Sequence, residues 1–305
     1  MAEGASSNST GRRSAVVSGG NKGIGLAICR QLASNGVVVI LTARDEKRGR
    51  EAVSDLTESG IREVVFHQLD VTDSASISSL AEFVRTRFGK LDILVNNAGV
   101  SGLTIDHSAL EAPQLPQGEL LDDKPDLLRR ILGQNYEKVE ACIQTNYYGS
   151  KAVTEALLPL LQLSKSPRIV NVSSIYGQLK FIPGEKIREE LNNLDGLSEL
   201  KIDELLQQFL KDFKEDLLDA QGWPNEVSAY KVSKAALNAY TRLLAKKFPK
   251  MCINCVHPGL VKTDMNFISG ILTPDEGARG PVMLALLPDG GPSGLHFDQM
   301  EVSTF

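Results

Sequence analysis

Short apolar, β-branched runs alternate with longer amphipathic stretches along most of the chain. "AVVS" (15–18), "VVVILT" (37–42), "VVFHQL" (64–69), "DILVNN" (92–97), "RIVNVSS" (168–174) and "INCVH" (253–257) read as strands. They are apolar on both faces rather than alternating, the pattern of parallel strands covered by helices on each side. Helical spacing is predicted from about Gly23 to Asn35, with Gly36 as C-cap, and from about Asp45 to Ser59, before Gly60. A late helix is predicted over about Pro274 to Leu287, with Thr273 as N-cap and Pro274 at the first helical position. It leads to a final short strand near 295–297. The order predicts an α/β fold: a Rossmann-type doubly wound parallel sheet, single domain, over residues 13–305, after a flexible tail at 1–12.

Two segments break the alternation. Residues 101–134 carry Pro113, Pro116 and Pro125, which interrupt any long helix. Residues 183–226 include a helix with Leu205, Phe209, Leu210, Phe213 and Leu217 on one stripe. Both follow the C-terminal ends of strands, where open α/β sheets bind ligands, and both read as insertions over the active site.

Composition narrows the partners. A 305-residue chain that is 42% hydrophobic can bury a large core. Its net charge of −5 supplies no broad basic field for nucleic acid or an anionic membrane. The start, "MAEGASSNSTGRR", lacks the apolar run of a signal peptide or a membrane span, so the expected location is the cytosol. Of the four cysteines, Cys252 and Cys255 form "CINC" on a strand, where positions three apart face opposite sides. No second pair completes a zinc site, so packing rather than redox or metal chemistry is expected. The sequons at Asn8 and Asn171 carry no weight in a cytosolic chain, and Asn171 falls in an apolar strand.

"SGGNKGIG" (18–25) joins the first strand to the first helix. Gly19, Gly23 and Gly25, with Asn21, Lys22 and Ile24 between them, form a turn that lets backbone approach a pyrophosphate at a helix N-terminus. The second strand ends "LTARDEKRG". Asp45 lies 22 residues after Gly23, where an NAD site offers an acid, but it also suits the N-cap of the next helix. Arg44 and Lys22, supported by Lys47 or Arg48, suit a 2′-phosphate, which favours NADP(H) over NAD(H). Asp70, followed by Val71, ends the third strand and can meet an adenine amino group, while Asp73 better caps the helix that follows. "NNAG" (96–99), including Asn97, allows close backbone approach to a ribose. Tyr230 and Lys234 fall four apart in "SAYKVSKAALNAY", on one helix face.

These pieces together resemble the short-chain dehydrogenase/reductase family, from about residue 14 to 297. The matching motifs are the glycine turn with Ser18 in place of threonine, "NNAG", Asn146 in "TNYYG", Ser174 in "VNVSS", Tyr230-x-x-x-Lys234 and Pro258-Gly259 in "HPGLVKT". Within the family the chain is most similar to plant reductases of the salutaridine reductase and menthone/neomenthol reductase group, and more distantly to mammalian monomeric carbonyl reductases. "NKGIG", "HQLDVTD", "LDILVNNAGV", "SPRIVNVSS" and "LLPDGGPSG" carry that likeness.

The resemblance implies an NADPH-dependent reductase of a hydrophobic ketone on a terpenoid or alkaloid skeleton. Tyr230 would donate the proton, and Lys234 would lower the phenol pKa and hold the ribose hydroxyls. Ser174 would bond the carbonyl oxygen, so that Ser174 and Tyr230 both touch substrate. Asn146 would place a relaying water. Val261 would meet the carboxamide by its backbone and Thr263 the pyrophosphate. The substrate pocket is expected from 101–110, Ile175, Tyr176 and the loop around Met265–Ile271. Ser174 and Tyr230 stand 56 residues apart, far more than the family usually has. The insertion's apolar stripe is expected to cover the helix face that forms dimers in tetrameric relatives, leaving a monomer. Two other readings stay open: an enone double-bond reductase on the same scaffold, and a non-enzymatic NADP-binding regulatory protein.

Overall fold

The computed structural model describes residues 12–105, 132–265 and 270–305. The strands are β1 (Ser14–Val17), β2 (Val38–Ala43), β3 (Val64–Gln68), β4 (Ile93–Asn96), β5 (Thr104–Ile105), β6 (Leu132–Gly133), β7 (Arg168–Val172), β8 (Cys252–His257), β9 (His296–Asp298) and β10 (Glu301–Ser303). The helices are α1 (Gly23–Ser34), α2 (Glu46–Glu58), α3 (Ser74–Phe88), α4 (Tyr136–Ile143), α5 (Ser150–Leu161), α6 (Glu185–Asn192), α7 (Glu199–Lys214), α8 (Ser228–Lys247) and α9 (Pro274–Ala285).

Eight strands form one sheet in the order β10-β9-β8-β7-β4-β1-β2-β3. Seven run parallel, and only β10 is antiparallel, folded back on β9. β10 lay outside the sequence reading, and so did the two-residue β5–β6 ladder. The doubly apolar strands are explained by the two cores. Val16, Ile40, Leu94, Ile169 and Ile253 face one layer with Leu80, Leu157, Phe209 and Tyr240. Val17, Leu41, Val95, Val170 and Val256 face the other with Ile28, Leu32, Leu56 and Val282. Strand order reverses between β1 and β4, which opens a crevice at their C-terminal ends.

The caps follow their chemistry. Asp45 accepts a hydrogen bond from the Arg48 amide at 2.9 Å, and Asp73 accepts from Ala75 at 3.0 Å. Thr273 and Glu276 form a reciprocal capping box on α9. Cys252 and Cys255 are buried and free, turned toward the Gly291 and Leu295 carbonyls respectively. Asn171 is fully buried and bonds Asn96 and Thr241 beneath the crevice.

Much of the first insertion lies outside the described residues. The second holds two helices, α6 and α7. Ile202, Leu205, Leu206, Phe209 and Leu210 bury one face of α7 against the main body. Leu217 does not extend that stripe: the helix ends at Lys214, and Leu217 lies in the turn beyond it. The backbone leaves the helix there: Asp216 takes a left-handed φ of 56°, and the Leu217 amide bonds the Asp212 carbonyl at 2.9 Å, while the buried Asp212 side chain accepts from the Trp223 indole at 2.8 Å. Among the described residues no helix is long and apolar enough to cross a membrane.

Candidate active site

The glycine turn sits in the β1–β4 crevice. Gly19 and Gly23 have φ of 64° and 53°, the left-handed region that glycine adopts without strain. A Cβ on Gly25 would overlap the Gly19 carbonyl and lie 2.5 Å from Asn97 Nδ2. Ser18 Oγ accepts from the amides of Asn97 and Ala98 at 2.9 and 3.0 Å, and Asn97 Nδ2 donates to the Ser18 and Gly19 carbonyls. The serine in place of threonine therefore keeps the clasp between the two loops, and Asn97 spends its amide hydrogens on the turn. The first turn of α1 has no capping side chain and no acid, so its amides remain for an anion. Asn21, Lys22 and Ile24 are carried on this turn, with Lys22 as N-cap residue. A dinucleotide pyrophosphate fits this cradle.

Around the cradle, Thr263 packs against Gly23, whose Cβ would lie 3.3 Å from Thr263 Cγ2. Val261 is buried and bridges Leu272, and the amide of Lys262 bonds the Leu272 carbonyl. Asp70 Oδ1 accepts from the Thr72 amide and hydroxyl, and Val71 packs on Gly149. Arg44 and Arg48 are exposed at the end of β2 and the start of α2. Lys22 pairs with Asp264 at 2.5 Å, both largely exposed. Asp45 is committed as a cap.

Ser174, Tyr230 and Lys234 come together beside this crevice despite their separation in sequence. Ser174 follows β7 and caps a short 3-10 turn, Ile175–Gly177. Its hydroxyl stands beside the Tyr230 phenol and draws the phenol pKa down. Burial is the larger effect and pushes that phenol up to about 12. Lys234 does not contribute to the shift, whose direction is set by desolvation of the phenolate. Lys234 Nζ stands 5.7 Å from the Tyr230 ring centroid and donates to the Val172 carbonyl at 2.8 Å. Burial pushes the lysine down to about 8.

Asn146 lies in a π-helical turn, Gln144–Gly149, between α4 and α5. Such turns open a helix at functional sites. Its Oδ1 accepts from the Val100 amide at 2.8 Å, and its Nδ2 donates to the Val100 carbonyl at 3.0 Å. The Tyr176 ring stands edge-on to Tyr230, centroids 6.5 Å apart. Ile175 is half-buried next to it. Residues 106–110 and 266–269 of the expected pocket lie outside the described residues. The Val172 carbonyl, the Val100 peptide, Cys142 and Ser233 were missed by the sequence reading. Backbone groups carry no signal in sequence, and Cys142 and Ser233 look like ordinary core positions on helices. Among the described residues, no group of three or more His, Cys, Asp or Glu could hold a metal ion.

Residues 13–115 match the family described as short chain dehydrogenase. Residues 217–279 match that described as Enoyl-(Acyl carrier protein) reductase. The chain is 56% identical over 308 residues to Short-chain dehydrogenase/reductase 1 of Saponaria officinalis, covering 100% of both chains. The solved structure of salutaridine reductase from Papaver somniferum matches with a TM-score of 0.88 at 53% identity, over 94% of this chain and 99% of that one. Menthone neomenthol reductase from Mentha piperita matches with a TM-score of 0.82 at 46% identity, over 95% and 100%. Identity at this level over nearly whole chains leaves one assignment for the fold and the crevice it builds: this chain belongs to the short-chain dehydrogenase/reductase family of oxidoreductases.

Proposed function

We propose that this protein is an NADPH-dependent reductase of a ketone on a hydrophobic terpenoid or alkaloid skeleton, with Tyr230 as proton donor. The observation that carries the reading is the convergence of Ser174 with Tyr230 and, one helical turn on, Lys234, its Nζ 5.7 Å from the Tyr230 ring centroid, with the glycine cradle alongside. Relatives named for salutaridine and for menthone and neomenthol support the substrate class.

The amides at the start of α1, with Gly19, Gly23 and Gly25, would hold the pyrophosphate. Arg44, Arg48 and Lys22 would take a 2′-phosphate, and the commitment of Asp45 to its cap supports NADPH over NADH. Asp70 and Val71 would meet the adenine, Lys234 and the loop of Asn97 the nicotinamide ribose, Val261 the carboxamide and Thr263 the pyrophosphate. When bound, the reduced nicotinamide supplies a hydride to the carbonyl carbon.

The chain's own residues handle the oxygen. Ser174 donates a hydrogen bond that stabilises its growing negative charge. Tyr230 gives its phenolic proton to that oxygen, completing the alcohol. The Lys234 ammonium stabilises the phenolate left behind, and Asn146 places the water through which the proton is restored. Four buried, free cysteines suit a cytosolic protein. The α7 face, packed over α4 and α8, supports a monomer.

The test is loss of NADPH absorbance with a panel of cyclic ketones and cyclic enones. Turnover of ketones that falls at least a hundredfold in Tyr230→Phe supports the reading, at the roughly 10²–10⁴-fold scale of general acid catalysis. Full activity in Tyr230→Phe, or turnover confined to the enone double bond, overturns it.

A further inference from the structure

Ser233 lies between Tyr230 and Lys234 in sequence and is fully buried. Its hydroxyl donates to the Tyr230 carbonyl at 2.9 Å. A hydroxyl has one proton, so with that proton given to the helix it can only accept from its other neighbours. Asn146 Nδ2 donates to it at 3.0 Å. The same amide nitrogen reaches Val100 O at 3.0 Å and Cys142 Sγ at 3.2 Å. Two hydrogens thus serve three acceptors, and Cys142 Sγ itself leans toward the Val100 carbonyl at 3.4 Å.

This wiring decides which end of the Asn146 amide points where. With Ser233 accepting, Nδ2 must face α8 and Oδ1 must face the Val100 amide, as it does at 2.8 Å. Val100 follows Gly99 directly, and a Cβ on Gly99 would lie 3.1 Å from Asn146 Oδ1 and 3.7 Å from Lys234 Nζ. One amide and one hydroxyl therefore join three segments remote in sequence: the loop after β4, the π turn and the helix carrying Tyr230 and Lys234. All three side chains in the cluster, Cys142, Asn146 and Ser233, are fully buried, so no water substitutes for a lost partner without rearrangement.

We propose that Ser233 is a positioning residue: it fixes the orientation of Asn146 and, through it, holds the Gly99–Val100 backbone against Lys234. The proposal rests on the reductase reading only for its kinetic consequence. Its structural consequence stands apart from activity.

The experiment compares wild type, Ser233→Ala, Asn146→Ala and the double variant, with Ser233→Cys as a variant of similar size that keeps a weaker acceptor. The readouts are kcat and KM for a ketone from the panel, the NADPH dissociation constant, the melting temperature and hydrogen exchange at the Val100 amide. Ser233→Ala is expected to lower kcat about tenfold, the scale of one buried hydrogen bond, with KM and the dissociation constant changed less than about twofold. In the Asn146→Ala background the same change is expected to cost less than about twofold, because the two residues act as a unit. Val100 exchange is expected to quicken in Ser233→Ala and to recover partly in Ser233→Cys. The proposal falls if Ser233→Ala keeps wild-type kcat, or loses as much with Asn146 already removed. It also falls if Val100 exchange is unchanged. Should the wild type turn over no ketone, the reductase reading fails instead, and the exchange measurement still decides the role of Ser233.

Discussion

Lys234 Nζ donates a 2.8 Å hydrogen bond to the carbonyl oxygen of Val172, the last residue of β7 and two before Ser174. The bond ties the cation of α8 to the strand that delivers the serine. It offers the ammonium one acceptor at a site where burial already pushes the lysine down to about 8. The neighbouring phenol is pushed the other way, up to about 12.

Those opposite directions fix a pH profile. Between pH about 8 and about 12 the lysine loses its charge while Tyr230 keeps its proton. On the proposed mechanism the donor survives, but the cation that would stabilise the phenolate does not. The kcat/KM for ketone reduction is therefore expected to fall above pH about 8, along a single alkaline limb. Lys234→Met is expected to lose that limb and to run roughly a hundredfold slower at neutral pH. Profiles of both proteins with one ketone check this, and an identical limb in Lys234→Met assigns the titration elsewhere.

Acid pH probes the far end of the same sheet. His257, at the end of β8, is pushed down to about 4 by burial, helped by His296 and opposed by Asp298 across the β8–β9 pairing. Burial lowers His296 as well. A folded-state value below the unfolded one means the unfolded chain takes up the proton first. Stability from a neutral His257 is therefore full above pH about 6.5 and lost as pH falls toward about 4. For this one site the loss between pH about 7.5 and 5 is about 2 kcal/mol, or roughly 4 °C in Tm for a chain of this length. Thermal melts at the two pH values should show it, and His257→Asn should narrow the gap.

Much of this architecture was legible because it rests on local chemistry. The strands are doubly apolar since each has a core on both faces, and Asp45, Asp73 and Thr273 announce their helices by capping them. The Ser174, Tyr230 and Lys234 positions came from motif order, which also located the crevice. β10 escaped because three residues, Glu301–Ser303, with two exposed, carry no period. Leu217 was misplaced because the 3.6-residue spacing continues past the point where the left-handed Asp216 turns the chain. The upward shift of Tyr230 carries no sequence signal, because burial is a property of the whole fold.

Two glycine substitutions separate crowding from backbone strain. Gly25→Ala places a methyl onto the Gly19 carbonyl and the Asn97 amide, both part of the cradle. NADPH affinity is expected to fall at least about tenfold, since the turn must open to admit it. Gly36 has φ of 77° with nothing within 4 Å of a built Cβ. Gly36→Ala should therefore cost only the left-handed strain, about 1 kcal/mol in stability, and leave NADPH affinity unchanged. Titration of cofactor fluorescence alongside denaturant melts tells the two apart.

The helix of the second insertion is held by a polar anchor as well as by its apolar face. Asp203 accepts from the Tyr147 hydroxyl at 3.0 Å and from Lys151 Nζ at 2.6 Å, and Tyr147 is fully buried. Asp203→Ala would leave a buried hydroxyl without its acceptor, at a cost of about 1–3 kcal/mol. That loosens α7 over α4 and α8 without removing the apolar contacts of Ile202, Leu206 and Phe209. Phe209→Asp would remove the contact itself and bare the face beneath. The expected outcome is a monomer at micromolar concentration for the wild type and Asp203→Ala, the latter with a lower Tm. Phe209→Asp should sediment as dimers or larger species, because an apolar helix face of that size seeks another cover. A stable wild-type dimer or tetramer in sedimentation velocity would show that α7 leaves another surface free to associate, and the insertion would then have to be explained by substrate selection alone.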